Sequence, residues 1–161
     1  MTIIKILVPR IVVAVLAGAA LNRFCIEPYQ GNLTVMTVYL RTSEMEKRDP
    51  EIEVAIAHRN LRDLEDVETS RRLDPQWYLL YGANWESLGE WNRAADAYTR
   101  ALRIDERPEI YFRRGFVTMQ MGRIDDALPD LVRAVRFDPR FAAQLDPLLR
   151  KRVKLAIRQR P

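Results

Sequence analysis

Cysteine and histidine are nearly absent from this sequence: among 161 residues there is one cysteine, Cys25, and one histidine, His58. A single cysteine excludes an intrachain disulfide and a zinc site built from thiolates, and a single histidine removes most metal-ligating and acid–base combinations. The chain also lacks a glycine-rich phosphate-binding loop and the turn that presents a nucleophilic serine. We therefore predict that the protein is not an enzyme and has no catalytic residue, no metal ligand and no cofactor.

The alternation of polar and apolar residues that marks β-strands is lacking as well. Residues 33–47 are ambiguous because they are rich in β-branched side chains. We interpret them as a helix with Asn32 as its N-cap, preceded by a loop at residues 28–32, where proline, glycine and asparagine come together. A further helix is expected from Pro50 to about residue 72. The predicted fold class is all-α.

Extremes of composition are absent too. Hydrophobic residues make up 48% of the chain and charged residues 30%, which is typical of a foldable chain, and the formal net charge is only +4. The basic excess lies after Asp146, in a segment that contains no acidic residue. Its cations are Arg150, Lys151, Arg152, Lys154, Arg158 and Arg160. We interpret these as the solvated face of a capping helix; the functional alternatives are an anionic lipid surface, an acidic partner surface or nucleic acid.

Residues 1–24 contain the longest apolar stretch of the chain. Lys5 and Arg10 are the only charged residues between positions 3 and 21, and residues 11–21 form an unbroken apolar run of 11 residues. As a helix, residues 3–21 would measure roughly 28 Å, close to the thickness of a bilayer core. We expect a retained transmembrane anchor. The alternative is a cleaved secretory signal, which the short apolar core, the positive flank and the small residues at 17–19 would fit.

The charges beside this stretch predict its orientation. Lys5 and Arg10 precede the apolar run, whereas Arg23 and Glu27 nearly cancel after it. By the positive-inside rule the N-terminus stays in the cytoplasm, and the remaining chain lies on the outer (periplasmic or extracellular) side of the membrane. Both alternatives export the domain, either bound to the membrane or, after cleavage, as a soluble periplasmic or secreted protein. Nucleic acid is therefore an unexpected partner.

A repeat of 33 residues occupies the middle of the chain. The stretch YGANWESLGEWNRAADAYTRAL at residues 81–102 is matched by RGFVTMQMGRIDDALPDLVRAV at residues 114–135. The matched pairs are Gly82 and Gly115, Gly89 and Gly122, Ala94 and Ala127, and Ala101 and Ala134. A constant offset of this size is typical of stacked helix–turn–helix units. We predict helices at residues 76–88 and 91–104 in the first unit, and at residues 109–121 and 124–135 in the second.

These patterns divide the chain into six segments. They are the anchor or signal at 1–24, a linker and helix at 25–49, a helical cap or degenerate repeat at 50–74, repeats at 75–107 and 108–140, and a basic capping helix at 141–161 that Asp146 and Pro147 interrupt. Two repeats are fewer than a stable helix stack generally needs. Caps, a protein partner or a second copy of the chain must therefore cover the outer faces.

The pattern resembles the tetratricopeptide repeat. Its signature positions carry Tyr78, Gly82, Trp85, Gly89, Ala94, Tyr98 and Ala101 in the first unit, and Tyr111, Gly115, Gly122, Ala127, Leu131, Ala134 and Pro139 in the second. Thr118 and Arg114 depart from the pattern, standing where a large aromatic residue and leucine are usual. The resemblance implies a short right-handed α-solenoid that acts as a protein–protein interaction or scaffold subunit of a larger membrane complex. Self-assembly by stacking of solenoids is the alternative.

The small residues of the repeat have a steric interpretation. Gly82 and Ala94 should let the two helices of one unit approach closely. Trp85, Tyr98 and Leu102 should then fill the space against the neighbouring unit. Three acidic residues of the second repeat, Asp125, Asp126 and Asp130, follow helical surface spacing and are predicted to be solvated.

The resemblance also implies that the first helix of each unit lines a concave groove. The lining predicted for this sequence is Gln76, Leu79, Ala83, Glu86, Ser87, Glu109, Phe112, Phe116, Met119 and Gln120. A clamp for C-terminal carboxylates, which some family members have, is not expected, because Leu79, Ala83 and Glu109 replace its lysines and asparagine. The apolar lining suits an amphipathic helix of a partner. Alternatively, Phe141 and the C-terminal helix fill the groove as part of the core.

Overall fold

The computed structural model of the chain describes residue 19 and residues 27–45, 49–71 and 73–159. Within these ranges the chain forms α-helices, one 3₁₀ helix and no strand, so the predicted all-α class is confirmed. The α-helices are α1 (Glu27–Met45), α2 (Pro50–Asp66), α3 (Glu68–Arg71), α4 (Pro75–Ser87), α5 (Trp91–Ile104), α6 (Pro108–Gln120), α7 (Ile124–Phe137) and α8 (Pro147–Gln159), and the 3₁₀ helix is Pro139–Gln144.

Helices α4 to α7 form two consecutive hairpins in which each helix packs chiefly on its neighbours in the chain. Their bounds lie within two residues of the predicted ones. Proline stands in the first turn of α4 and α6, where a missing N–H costs nothing. The Asp74 carboxylate caps α4 by accepting a hydrogen bond from the Gln76 backbone N–H at 2.9 Å.

The turns inside the two hairpins have the same backbone geometry. Gly89 and Gly122 have φ angles of 71° and 77°, which favour glycine because a side chain would be strained there. In each turn the next residue donates its backbone N–H to a carbonyl five residues earlier: Glu90 to Trp85 at 3.0 Å, and Arg123 to Thr118 at 3.1 Å. The matched glycines of the sequence therefore mark matched helix ends.

The segment before the repeats is more helical than predicted. We expected a loop at residues 28–32 and an N-cap at Asn32, but both lie inside α1, with Gly31 buried and Asn32 exposed. Proline near a helix start is compatible with the helix, and burial of Val35 and Val38 supplies tertiary contacts that outweigh local propensity. The helix expected from Pro50 to residue 72 is interrupted at Val67, which separates α2 from α3.

Helices α1 and α2 pack against each other, and both pack against α4. In the described part of the chain the stack thus contains three helix pairs, because α1 and α2 precede the two repeats as a further hairpin. Helix α8 follows as a cap on α7, into which it buries Leu149 and Val153. This arrangement covers the first helix of repeat one and the last helix of repeat two.

None of the helices within residues 27–45, 49–71 and 73–159 is long and apolar enough to span a membrane. The segment for which an anchor or signal was predicted, residues 1–24, lies outside the described residues except for residue 19.

Candidate partner groove

Each repeat brings a glycine of its first helix against a large side chain of its second helix. A Cβ built on Gly82 would lie 2.6 Å from Cε1 of Tyr98, and one built on Gly115 would lie 2.9 Å from Cδ2 of Leu131. Both large side chains are fully buried. Tyr98 therefore fills the gap inside its own unit, whereas we had expected it to fill the gap against the neighbouring unit.

The other predicted packing residues divide into buried and accessible ones. Ala94, Ala101, Ala127 and Ala134 are fully buried where the paired helices meet. Trp85 is only half-buried, and the guanidinium of Arg93 in its own unit lies 4.4 Å from its ring centroid. Pro139 is exposed and begins the 3₁₀ helix. The buried alanines thus occur at matched positions in both repeats, whereas Trp85 lies at the surface of the first repeat.

Replacing Gly82 by alanine is expected to lower the free energy of unfolding by about 1–3 kcal/mol, because the added methyl group overlaps the buried Tyr98 ring. Chemical denaturation followed by circular dichroism measures the change. In a Tyr98→Ala background the same glycine substitution should cost little, because the ring that overlaps the added methyl group is gone. A Gly82→Ala protein as stable as the wild type would contradict the close contact.

An open cavity of about 420 Å³ lies between α1, α2, α4 and α6. Six residues of the predicted groove line it: Gln76, Leu79, Ala83, Glu86, Ser87 and Glu109. The lining is completed by Tyr39, Thr42, Ser43, Glu53, Leu80 and Arg113, which the sequence did not indicate. We name this cavity the partner groove. The contribution of α1 was missed because residues so far apart in sequence meet only through the stacking of hairpins.

The other predicted groove residues do not line this cavity. The ring of Phe112 stacks on that of Phe141 at a centroid distance of 4.8 Å, and Met119 packs in the same cluster beneath the C-terminal helices. Phe116 packs against the main core, and Gln120 is exposed. The predicted lining is therefore open to solvent beside repeat one and covered by C-terminal residues beside repeat two. The binding of a partner helix stays a prediction.

Glu86 connects the groove to the core of the first repeat. Its carboxylate accepts a hydrogen bond of 2.6 Å from the Tyr98 hydroxyl and one of 3.1 Å from Nη1 of Arg113. Burial raises the pKa of Tyr98 well above its usual value, and the negative charge of Glu86 raises it further. Glu53 and Glu109 also line the cavity, and Nη1 of Arg107 lies 3.3 Å from Oε1 of Glu109. Three carboxylates thus meet two guanidinium groups, and the excess of negative charge at the groove is small.

Tyr98→Phe is expected to lower stability by about 1–2 kcal/mol near neutral pH, because it removes a hydrogen bond to a charged acceptor. The wild type should then lose this advantage as the pH rises above about 10, because unfolded tyrosine ionises there while the raised pKa keeps folded Tyr98 neutral. Urea denaturation of both proteins at pH 8 and pH 10.5 measures the difference. An advantage that grows at high pH would contradict the assignment.

A buried polar cluster lies behind the groove and joins α1, α2 and α4. Asn60 and Asn84 are fully buried, and Nδ2 of Asn60 donates to Oδ1 of Asn84 at 2.9 Å. Asn60 also donates to the Thr42 hydroxyl at 3.3 Å, and Nη1 of Arg41 donates to Oδ1 of Asn60 at 3.3 Å. Such a cluster fixes which residues of the three helices face each other, because a shifted helix would leave buried amides unpaired. Asparagine at core spacing was the signal that could have indicated it.

We predicted that Asp130 lies on the surface, but it is buried. The Arg114 guanidinium donates to both of its carboxylate oxygens, at 2.6 and 2.7 Å, and also to the Thr99 hydroxyl at 3.2 Å. The hydrogen bonds with Asp130 raise the pKa of Arg114. The carboxylate of Asp130 on α7 thus balances the arginine that stands in place of the usual leucine. The hydrogen bond from Arg114 to Thr99 joins the two repeats.

Within the ranges that the structure describes, no three His, Cys, Asp or Glu side chains converge as metal ligands, and His58 is exposed on α2. Asp125 and Asp126 are exposed, as predicted. The prediction that the protein is not an enzyme stays a prediction.

No protein-family model matches the chain. The chain is similar to the solved structure of TTC0263, a thermophilic TPR protein of Thermus thermophilus, with a TM-score of 0.61. The two share 23% sequence identity, and the similarity covers 87% of this chain and 69% of TTC0263. The predicted resemblance is therefore confirmed at the level of fold: the chain has the fold of tetratricopeptide-repeat proteins.

Proposed function

We propose that this tetratricopeptide-repeat fold serves as a non-catalytic interaction subunit that binds a partner protein and holds it in a larger envelope complex. The observation that carries the proposal is the partner groove, an open cavity of about 420 Å³ between helix pairs. Stacked hairpins of this kind present rigid concave surfaces, and proteins with such surfaces commonly bind peptides or helices.

The lining of the groove favours an amphipathic helix with cationic residues at its edge. Leu79, Leu80 and Ala83 provide apolar contacts, and Glu53 adds negative charge at the same cavity, whereas Glu109 is already paired with Arg107. An apolar helix face can lie against the three apolar residues, and a lysine or arginine side chain can pair with Glu53. A clamp for C-terminal carboxylates remains unexpected, because the glutamates at this cavity would repel the carboxylate of a bound C-terminus.

Ala83→Arg is expected to reduce partner binding at least about tenfold, because a long side chain would occupy the cavity that Ala83 lines. Ala143→Arg, on the exposed 3₁₀ helix, is the matched control and should bind normally. A photo-crosslinking amino acid at Ser87, followed by mass spectrometry of membranes, identifies the partner. Equal crosslinking yields with Ala83→Arg and Ala143→Arg would show that the partner does not bind in the groove.

We propose further that residues 1–24 tether the domain to a membrane with the N-terminus in the cytoplasm. The support is the apolar run at residues 11–21 and the position of Lys5 and Arg10 before it. In a Cys25→Ser/Gln144→Cys protein, a membrane-impermeant maleimide should label intact cells if the domain lies outside. Labelling only after lysis would overturn the orientation, and an intact mass lacking the first residues would favour the soluble exported adaptor.

Self-association is the second candidate function, favoured by the outer surface of the first helix pair. Leu33, Met36 and Leu40 on α1 are 58%, 53% and 51% exposed, although the ends of helix stacks are usually polar. Another copy of the chain could cover this surface by end-to-end stacking. Light scattering in detergent should then show larger species at higher concentration, and Met36→Glu should reduce them. A monomer at all concentrations would exclude this candidate.

A further inference from the structure

A second cavity, of about 330 Å³, lies beside α4 and is lined by the aromatic side chains Trp77, Tyr78, Tyr81 and Trp85. We name it the aromatic pocket. Residues 77, 81 and 85 follow each other at intervals of four, so they share one face of α4. That face is opposite the one that carries Leu79 and Ala83. The aromatic pocket is thus separate from the partner groove.

The rings of this pocket are held in fixed mutual orientations. Trp77 and Tyr81 are stacked with their centroids 4.7 Å apart, and Tyr81 meets Trp85 edge to face at 5.9 Å. The Tyr81 hydroxyl donates to Oε1 of Glu65 at 3.1 Å, which fixes this ring further. Ring faces concentrate negative potential, so a preorganised group of rings is suited to a cation.

Negative charge reinforces this preference. Glu65, Glu68 and Asp96 line the aromatic pocket together with Arg93 and Arg100. Oε1 of Glu65 lies 3.1 Å from the Tyr81 hydroxyl, so a negative charge stands directly beside the rings. Burial raises the pKa of Tyr81, a hydrogen bond with Trp85 lowers it, and Glu65 and Glu68 raise it. The carboxylates outnumber the guanidinium groups around the cavity.

One ring of the pocket, Trp85, already has a guanidinium group over its face. The Arg93 guanidinium lies 4.4 Å from the centroid of the Trp85 ring, within the range of a cation–π interaction. Arg93 is exposed on α5, so it can leave this ring without opening the core. It already occupies a position that a guanidinium or ammonium group from outside could take.

We propose that the aromatic pocket binds an organic cation of the guanidinium or alkylammonium class, and that this cation displaces Arg93 from the face of Trp85. The cation can be an arginine or lysine side chain of a protein partner or a free small molecule; both share the chemistry that the rings and carboxylates recognise. This site is independent of the partner groove and does not rest on the function proposed for it.

The test is titration of the full chain in detergent, with intrinsic fluorescence as the readout, because two of the three tryptophans line the pocket. The probes are Nα-acetyl-arginine amide, as a protein side chain, and tetramethylammonium, as a free cation. Their neutral counterparts are Nα-acetyl-citrulline amide and tert-butanol, at constant ionic strength. We expect a saturable change with at least one cation and with neither neutral compound. Tighter binding of the arginine amide would indicate a protein side chain as the ligand, and tighter binding of tetramethylammonium would indicate a free small molecule.

Charge variants decide whether the pocket is the site. Glu65→Gln/Glu68→Gln should weaken binding about tenfold, and glutamine at position 65 can still accept the Tyr81 hydrogen bond. Glu51→Gln/Glu106→Gln removes the same charge from exposed positions elsewhere and should leave binding unchanged. Arg93→Ala should bind about three- to tenfold more tightly, because the competing cation is gone.

The following outcomes would overturn the proposal: no saturable change in either the wild type or Arg93→Ala, equal responses to arginine and citrulline amides, or equal losses in the two double variants. An affinity of Arg93→Ala no higher than that of the wild type would overturn the displacement. Circular dichroism of every variant checks that the helices are retained.

Discussion

Trp77→Ala is expected to lower the free energy of unfolding by about 3–5 kcal/mol, the largest effect of any single truncation in the first repeat. Trp77 is only 2% exposed and packs in the main core. Its indole N–H donates to the backbone carbonyl of Leu64 at 2.9 Å. That carbonyl lies in the last turn of α2 and also accepts the backbone N–H of Val67 at 3.2 Å. Trp77 therefore fills the core and adds a second hydrogen bond at this helix end.

Two matched variants separate these contributions. Trp77→Phe keeps an aromatic ring but loses the hydrogen bond, and should cost less than Trp77→Ala. Trp91→Ala truncates a tryptophan that is only half-buried at the start of α5, and should cost about 1–2 kcal/mol. Urea denaturation followed by circular dichroism measures all three. Similar losses for Trp77→Ala and Trp91→Ala would contradict the central place given to Trp77.

The second large effect is expected for Arg114→Tyr, at about 2–4 kcal/mol. The side chain of Asp130 is 11% exposed, so removing its guanidinium partner leaves a buried carboxylate uncompensated. We place the loss below that of a fully buried pair because 26% of the Arg114 side chain is exposed to solvent.

The chain supplies its own control for this prediction. At an offset of 33 residues, repeat one has Tyr81 and Ala97 where repeat two has Arg114 and Asp130. Arg114→Tyr/Asp130→Ala copies this apolar pair, leaves no buried charge and should be more stable than Arg114→Tyr alone. Arg123→Leu breaks an exposed ion pair with Asp126 and should change stability by less than about 0.5 kcal/mol. A double variant less stable than both single variants would contradict the argument.

What could be predicted from the sequence was local. The spacing of glycine, proline and alanine gave the helix ends of both repeats, because the residue itself imposes the turn at Gly89 or the start at Pro75. The predicted start of α1 was wrong. Pro28, Gly31 and Asn32 suggest a loop locally, but the packing of α1 on α2 and α4 makes this segment helical. Local signals carry no information about such contacts.

The candidate site was predictable only in part for the same reason. Leu79, Ala83 and Glu86 share a helix face, and periodicity alone places them together. Whether that face stays open depends on what covers it: α1 forms a wall of the groove in repeat one, and Phe141 covers Phe112 in repeat two. The burial of Asp130 was missed because its partner is 16 residues away, and charge at surface spacing gave no sign of a buried pair.

The hydrogen bond from Arg114 to Thr99 also limits how this protein can change in length. Arrays of identical repeats can gain or lose units by duplication, because every junction is alike. Here the junction between the two repeats matches a hydroxyl on one unit to an arginine on the next, and the residue at the place of Thr99 in repeat two is Val132. A duplicated second unit would set its arginine against valine. The junction between repeats one and two therefore differs from the junction that a further copy of repeat two would form, and such a copy would lack this hydrogen bond.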